Sequence, residues 1–204
     1  MNRRALFPLL LLAALLPLCV AAQTPRVMPA PPTPMEEIRT LVQSGKLTAA
    51  LERTEALIQK SPRDVQARFV RAVLLADLGQ TREAIDALEP LTQEFPELPE
   101  PHNNLGVLLA AQGKYELARA SLQRALLAEP RYLTAYENLG DLYVAMAADA
   151  YRQATELDPK AATLQSKLKL TRELQLKLRP DAAGALSPSP STIAPASSRS
   201  PSSH

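Results

Sequence analysis

The fold is decided by residues 99–130, which read PEPHNNLGVLLAAQGKYELARASLQRALLAEP. Two runs in this stretch repeat apolar residues at helical spacing: Leu105, Leu108 and Leu109, then Leu122, Ala125 and Leu126. Gly113 lies between the runs, where a chain leaving a helix commonly needs a positive φ. Pro130 ends the second run, because the residue before a proline is pushed out of the α region. The stretch therefore predicts two helices joined by a tight turn.

The same pattern recurs with a period of 34 residues. Three residue types keep this register: Pro62, Pro96 and Pro130; Gly45, Gly79 and Gly113; and Ala50, Ala84 and Ala118. The unit resembles the tetratricopeptide repeat family, with family pattern positions at Leu105, Gly106, Leu109, Tyr115, Ala118, Ala125 and Pro130. The resemblance implies an all-α, helix-turn-helix solenoid of about three full repeats.

Six helices are predicted over residues 35–43, 48–59, 65–78, 82–94, 100–112 and 115–128. Small residues at Ala72, Gly106 and Gly140 are expected to let neighbouring helices approach closely. The first repeat is predicted to pack less tightly, as a frayed N-terminal cap, because prolines occupy its opening turn and Ile38 replaces a small residue.

The fourth unit departs from the pattern, because Pro159 follows Pro130 after 29 residues and five are missing. The gap falls within LYVAMAADAY, where the turn and its glycine belong. Neither glycine nor proline occurs from Asp141 to Asp158. We therefore predict that both helices of this unit are fused into one rod over residues 134–157, about 35 Å long.

Two roles for this rod stay open. The leucine-rich segment 160–179 could lie on the rod as a capping helix, since a solenoid needs a solubilising end. Alternatively, Met146, Ala150 and Tyr151 could form a self-association seam, giving a homodimer.

The two ends of the chain have compositions unlike the repeats. Arg3 and Arg4 precede an apolar stretch ending in small residues, so residues 1–22 are predicted to be a signal peptide cleaved after Ala22, leading to a periplasmic or secreted protein. An uncleaved inner-membrane anchor and lipidation at Cys19 are the alternatives. Residues 23–34 read as a proline-rich linker and residues 180–204 as a disordered Ser/Pro-rich tail.

Charge is balanced overall but segregated. The leader takes two of the 23 basic residues and none of the 21 acidic ones, so the remainder has no net charge to attract nucleic acid, and no nucleic-acid partner is predicted. Residues 36–159 carry a net charge of −6 and residues 160–179 a net charge of +5. The basic segment either pairs with the acidic solenoid or contacts anionic lipid headgroups or an acidic partner.

Catalytic and metal-binding patterns are missing from the sequence. Past the leader there is no cysteine, and one of the two histidines is the terminal His204. His102 takes a position where the family often has an aromatic residue, which predicts a packing role. We therefore predict no catalytic residues, no metal, no cofactor and no enzyme activity.

In the tetratricopeptide family the inner surface is formed by the first helix of each pair. Carried over to this chain, that surface comprises Phe69, Val73, Asp77, Asn103, Val107, Glu137 and Asp141. The groove is half apolar and half acidic. Phe69, Asn103 and Glu137 stand where cations would grip a terminal carboxylate, so the predicted ligand is an extended or helical protein segment with apolar and basic residues.

Two functions follow from these patterns. The first is a protein-binding scaffold of the bacterial cell envelope, with the groove as the partner site. The second is an accessory or activator of a peptidoglycan-modifying enzyme. It rests on residues 134–154, TAYENLGDLYVAMAADAYRQA, which are similar to exported proteobacterial tetratricopeptide proteins with a shortened last repeat, some of which occur with transpeptidases of the envelope.

Overall fold

A computed structural model describes residues 31–178, which contain eight α-helices and no strand. The helices are α1 (Pro34–Gln43), α2 (Leu47–Lys60), α3 (Val65–Asp77), α4 (Thr81–Glu94), α5 (Pro99–Ala111), α6 (Tyr115–Ala128), α7 (Leu133–Leu157) and α8 (Ala162–Leu178). The predicted all-α class is confirmed. The signal peptide, most of the proline-rich linker and the C-terminal tail lie outside the described residues. Within residues 31–178, no helix is both long enough and apolar enough to cross a bilayer.

The first three helix pairs share one corner geometry. Gly45, Gly79 and Gly113 have φ values of 71°, 76° and 73°, which side chains rarely adopt, and each lies in the turn within a pair. The amide after each glycine donates to a carbonyl five residues back, as Gln80 N does to Leu75 O at 2.8 Å. This is the Schellman closure of a helix end. The predicted corners are confirmed.

The main core runs from the second repeat into α7 and contains buried residues of α3, α4, α5, α6 and α7. Leu122 of α6, only 1 % exposed, packs directly over Gly106 of α5. A Cβ on Gly106 would lie 2.7 Å from Leu122 Cγ and 3.1 Å from the Ala118 carbonyl oxygen. The predicted close approach at Gly106 is therefore confirmed.

The first repeat is better packed than predicted. Ile38 is fully buried in a second cluster with Ala50, Val70 and Leu74, so the prediction of looser packing is wrong. The start of α1 is also closed by reciprocal hydrogen bonds. Glu36 N donates to Thr33 Oγ1 at 3.3 Å, and Thr33 N donates to Glu36 Oε2 at 2.6 Å. This capping box satisfies two backbone N–H donors at the start of the helix. The proline-rich sequence around it did not predict this closure.

The fused fourth unit is confirmed, since α7 is a single helix of 25 residues. α8 packs against it, with Leu168 buried and Lys167 Nζ 5.5 Å from the centre of the Tyr151 ring. Residues 162–178 therefore lie on α7 as a capping helix, as the first of the two alternatives predicts.

Fusion also overturns one prediction, the close approach at Gly140. A Cβ there would meet nothing within 4 Å, unlike at Gly106, which occupies the same repeat position. The helix that should cover Gly140 is the second half of α7 itself. Because the rod runs straight on, that half cannot fold back, and the surface around Gly140 stays open.

Candidate functional site

The inner surface of the solenoid is formed by α3, α5 and α7, which contact one another in that order. These are the first helices of the second, third and fourth repeats. All seven predicted groove residues lie on them. In the structure, three of the seven are buried, three are half-buried and one is exposed.

Three of the seven are buried. Phe69 and Val73 belong to the main core, with 7 % and 4 % of their surface exposed. Asn103 accepts a hydrogen bond from Asn138 Nδ2 at 2.9 Å, which joins α5 to α7. These side chains hold the helices of the surface together and leave little for a ligand to contact.

Val107 and Asp141 line the same pocket, of about 790 Å³. The walls come from the end of α5, the start of α6 and the middle of α7, and are mostly apolar. Four side chains of α8 complete the pocket: Arg172, Gln175, Leu176 and Leu178. Sequence reasoning missed these four, because α8 is not part of the repeat and nothing in the 34-residue period predicts where it lies.

Asp77, at the end of α3, is a partly buried carboxylate of the inner surface. Its Oδ1 is buried and has no hydrogen-bond partner in the described part of the chain. Burial raises the pKa of Asp77 from 3.8 to about 6, because desolvation disfavours the charged form. Near neutral pH the surface therefore contains a charge that is poorly compensated within residues 31–178.

Asp77→Asn is expected to stabilise the protein by on the order of 1 kcal/mol near neutral pH, allowing for partial solvent screening. The folded-state pKa lies above the unfolded value, so the cost of the charge is full above about pH 6 and fades as the pH falls. Urea unfolding should therefore show an advantage for the variant at neutral pH that shrinks in mild acid. Glu137→Gln, at an exposed carboxylate on the same surface, should change little, and an Asp77→Asn advantage independent of pH would contradict this account.

Glu137 is exposed at the rim of the surface. His102 is 5 % exposed and its Nε2 has no partner in residues 31–178, while burial lowers its pKa. Its placement agrees with the packing role. Over the same residues, no group of three His, Cys, Asp or Glu side chains is arranged to hold a metal ion.

The three residues of the predicted self-association seam do not share one exposed face. Met146 packs against the main core, and Tyr151 lies under Lys167 of α8. Ala150 alone of the three is exposed. Self-association itself stays a prediction.

Comparisons with known proteins agree with this geometry. Tetratricopeptide repeat models match residues 35–99 and 99–132. A crystal structure of MamA is 21% identical, with a TM-score of 0.51, over 80% of this chain and 94% of that one. A thermophilic tetratricopeptide protein of Thermus thermophilus is 24% identical, with a TM-score of 0.50, over 69% of this chain and 80% of that one.

A third solved structure, a tetratricopeptide repeat protein from Parabacteroides merdae, is 19% identical, with a TM-score of 0.51, over 72% of this chain and 59% of its own. At these identities the likenesses concern the fold. No curated protein sequence matches the chain significantly. The matched repeats, the period and the helix pairs agree with one another, and repeats of this kind bind other proteins. The chain is therefore a tetratricopeptide repeat protein with a protein-binding surface.

Proposed function

We propose that this protein is a non-catalytic scaffold of the bacterial cell envelope that binds a segment of a partner protein on its inner surface. The observation that carries the proposal is the pocket of about 790 Å³, in which half-buried Val107 and Asp141 lie beside side chains of α8. An apolar groove is a recurring form of peptide-binding site, in which a segment of the partner lays its apolar side chains against the groove.

The chemistry of the surface selects the partner. Apolar walls around Val107 and Leu142 accept apolar side chains, and Asp77 and Glu137 on the same surface attract basic ones. A lysine or arginine from the partner would also compensate the Asp77 carboxylate, whose buried Oδ1 has no hydrogen bond within residues 31–178. The proposed ligand is thus an extended or helical segment with apolar and basic residues.

A peptide array with apolar-basic, apolar-acidic and apolar-neutral sequences tests this chemistry. We expect selective binding of apolar-basic peptides, weakening as salt rises because the attraction is partly electrostatic. Preference for apolar-acidic peptides would contradict the proposal.

Val107→Arg is expected to lower the affinity for a selected peptide about tenfold or more, equivalent to about 1.4 kcal/mol, because it replaces part of the apolar wall with a bulky second cation beside Arg172. Fluorescence anisotropy measures this loss, with circular dichroism confirming the helix content. Leu127→Arg is the matched control, because Leu127 is 80 % exposed and does not line the pocket. Equal losses of affinity in both variants would show that the peptide does not bind in this pocket.

The envelope location is supported by the leader sequence of residues 1–22 alone. We expect export and cleavage after Ala22, so that the purified protein begins at Gln23. Mass spectrometry of its N-terminus in the native host tests this. A retained leader would indicate the inner-membrane anchor, and a lipid on Cys19 would indicate a lipoprotein.

A narrower function is an accessory or activator of a peptidoglycan-modifying enzyme. The observation in its favour is that α7 is one fused helix. The similarity of residues 134–154 to exported tetratricopeptide proteins depends on a shortened last repeat of this kind. Crosslinking in cells followed by mass spectrometry separates the two functions. Capture of a wall synthase or transpeptidase favours the accessory function, and capture of diverse transport or outer-membrane components favours the general scaffold.

A further inference from the structure

One side of α7 is apolar and uncovered along most of its length. We call it the open face and define it by six residues at alternating spacings of four and three: Tyr136, Gly140, Tyr143, Ala147, Ala150 and Ala154. This spacing keeps residues in register along a helix and is the pattern of a coiled-coil seam. None of the six is charged.

Four of the six residues are exposed, and Ala147 and Ala154 are half-buried, because neighbouring helices cover other sides of α7. Leu139 and Met146 face the main core, and Asp141 and Ala145 line the pocket beside α8. Tyr136 and Tyr143 remain 54 % and 47 % exposed. Two half-exposed tyrosines on either side of an uncovered glycine form an apolar patch of the kind that marks interaction surfaces.

The third repeat shows what is absent from this patch. There, the second helix of the pair covers the first, with Ala118 and Leu122 next to Gly106 of α5 and with Ala125 also buried. Counted back from the closing prolines, the corresponding residues of the fourth unit are Ala147, Tyr151 and Ala154. Ala147 and Ala154 lie on the same helix as the face they would cover, so one chain cannot bring the two halves together, whereas Tyr151 already lies under Lys167 of α8.

We propose that a second copy of this chain docks on the open face, with the two α7 helices antiparallel, so that the second half of each covers the first half of the other. The loss of a hinge is a recognised route to such exchange of elements between identical chains. This surface is separate from the groove, and the inference does not rest on the proposed function.

The sizes of the side chains on the open face support a second copy of the chain as the docking partner. The first half of the face carries two tyrosines and the second half three alanines, so an antiparallel pair sets large residues against small ones. Tyr136 would face Ala154, Gly140 would face Ala150 and Tyr143 would face Ala147 of the other copy. The arrangement has two-fold symmetry, which gives a closed dimer.

The exposed tyrosines contribute part of the area that such a dimer needs. A tyrosine presents roughly 200 Å², and about half of each is exposed here, so the four tyrosines of a pair would bury on the order of 400 Å². That is about a third of the smallest stable interfaces, near 1,200 Å². In the proposed dimer, the alanines and the surrounding rod, about 37 Å long on each copy, would have to supply the remainder.

Sedimentation velocity of the full chain over a dilution series tests the dimer. We expect twice the chain mass at high concentration and one chain mass for Gly140→Arg. This variant should fold normally, because a Cβ at position 140 meets nothing within 4 Å and glycine is the poorer helix former. Ser166→Arg, at an exposed position of α8, is the matched control and should remain dimeric.

A second pair of variants tests the register. Ala150→Glu alone should be monomeric like Gly140→Arg, but an equimolar mixture of the two should recover the dimer, because the introduced arginine and glutamate would face each other. Three results would overturn the proposal: a wild-type chain that is monomeric at every concentration, a Gly140→Arg variant that stays dimeric, or a mixture that stays monomeric while both variants remain helical.

Discussion

Gly106→Val should lower the free energy of unfolding by about 2–3 kcal/mol, as overpacking in a close-packed core does. The space at Gly106 is already used, because the first added carbon would lie 2.7 Å from Leu122 Cγ and 3.1 Å from a backbone oxygen of α6. Leu122 is 1 % exposed and belongs to the main core, so moving it away from Gly106 disturbs the packing there. The midpoint of urea unfolding, followed by circular dichroism, measures the loss.

The matched control is Gly140→Val, the same change at the same repeat position. Nothing lies within 4 Å of a Cβ there, and valine is a better helix former than glycine, so we expect no loss and a gain of at most about 0.5 kcal/mol. Both variants should be compared in dilute solution, where association adds no stability. Similar losses at the two positions would show that the glycines are required by backbone conformation and not by helix contact.

These two glycines show what the repeat pattern predicts and what it does not. The period placed the helices and the corner glycines correctly, because each rests on local chemistry: apolar spacing, positive φ and proline termination. Gly140 was assigned a close contact by the same pattern. The contact is absent because it depends on a fold-back that five missing residues prevent, and a motif position carries no information about its partner helix.

The candidate site, like the fold, could be predicted only in part from the repeat pattern. Val107 and Asp141 were placed on one surface by repeat position, and they line one pocket. Arg172 and Leu176 could not be found in this way, because the position of α8 follows from tertiary packing outside the repeat. Phe69 was expected at the surface but belongs to the core, since burial depends on neighbours that one helix's pattern does not specify.

Ala147→Pro tests the rod itself, and we expect a loss of about 3 kcal/mol or more, with lower helix content, because a proline inside a helix removes a hydrogen bond and clashes with the preceding turn. In an ordinary repeat this region would be near a corner and would tolerate the change better. Thr81→Pro is the matched control, since Thr81 is the first residue of α4, where proline is well accepted. If dilute Ala147→Pro unfolded at the urea concentration of Thr81→Pro, α7 would not be one continuous helix in solution, and the open face, which needs both halves in line, would not exist.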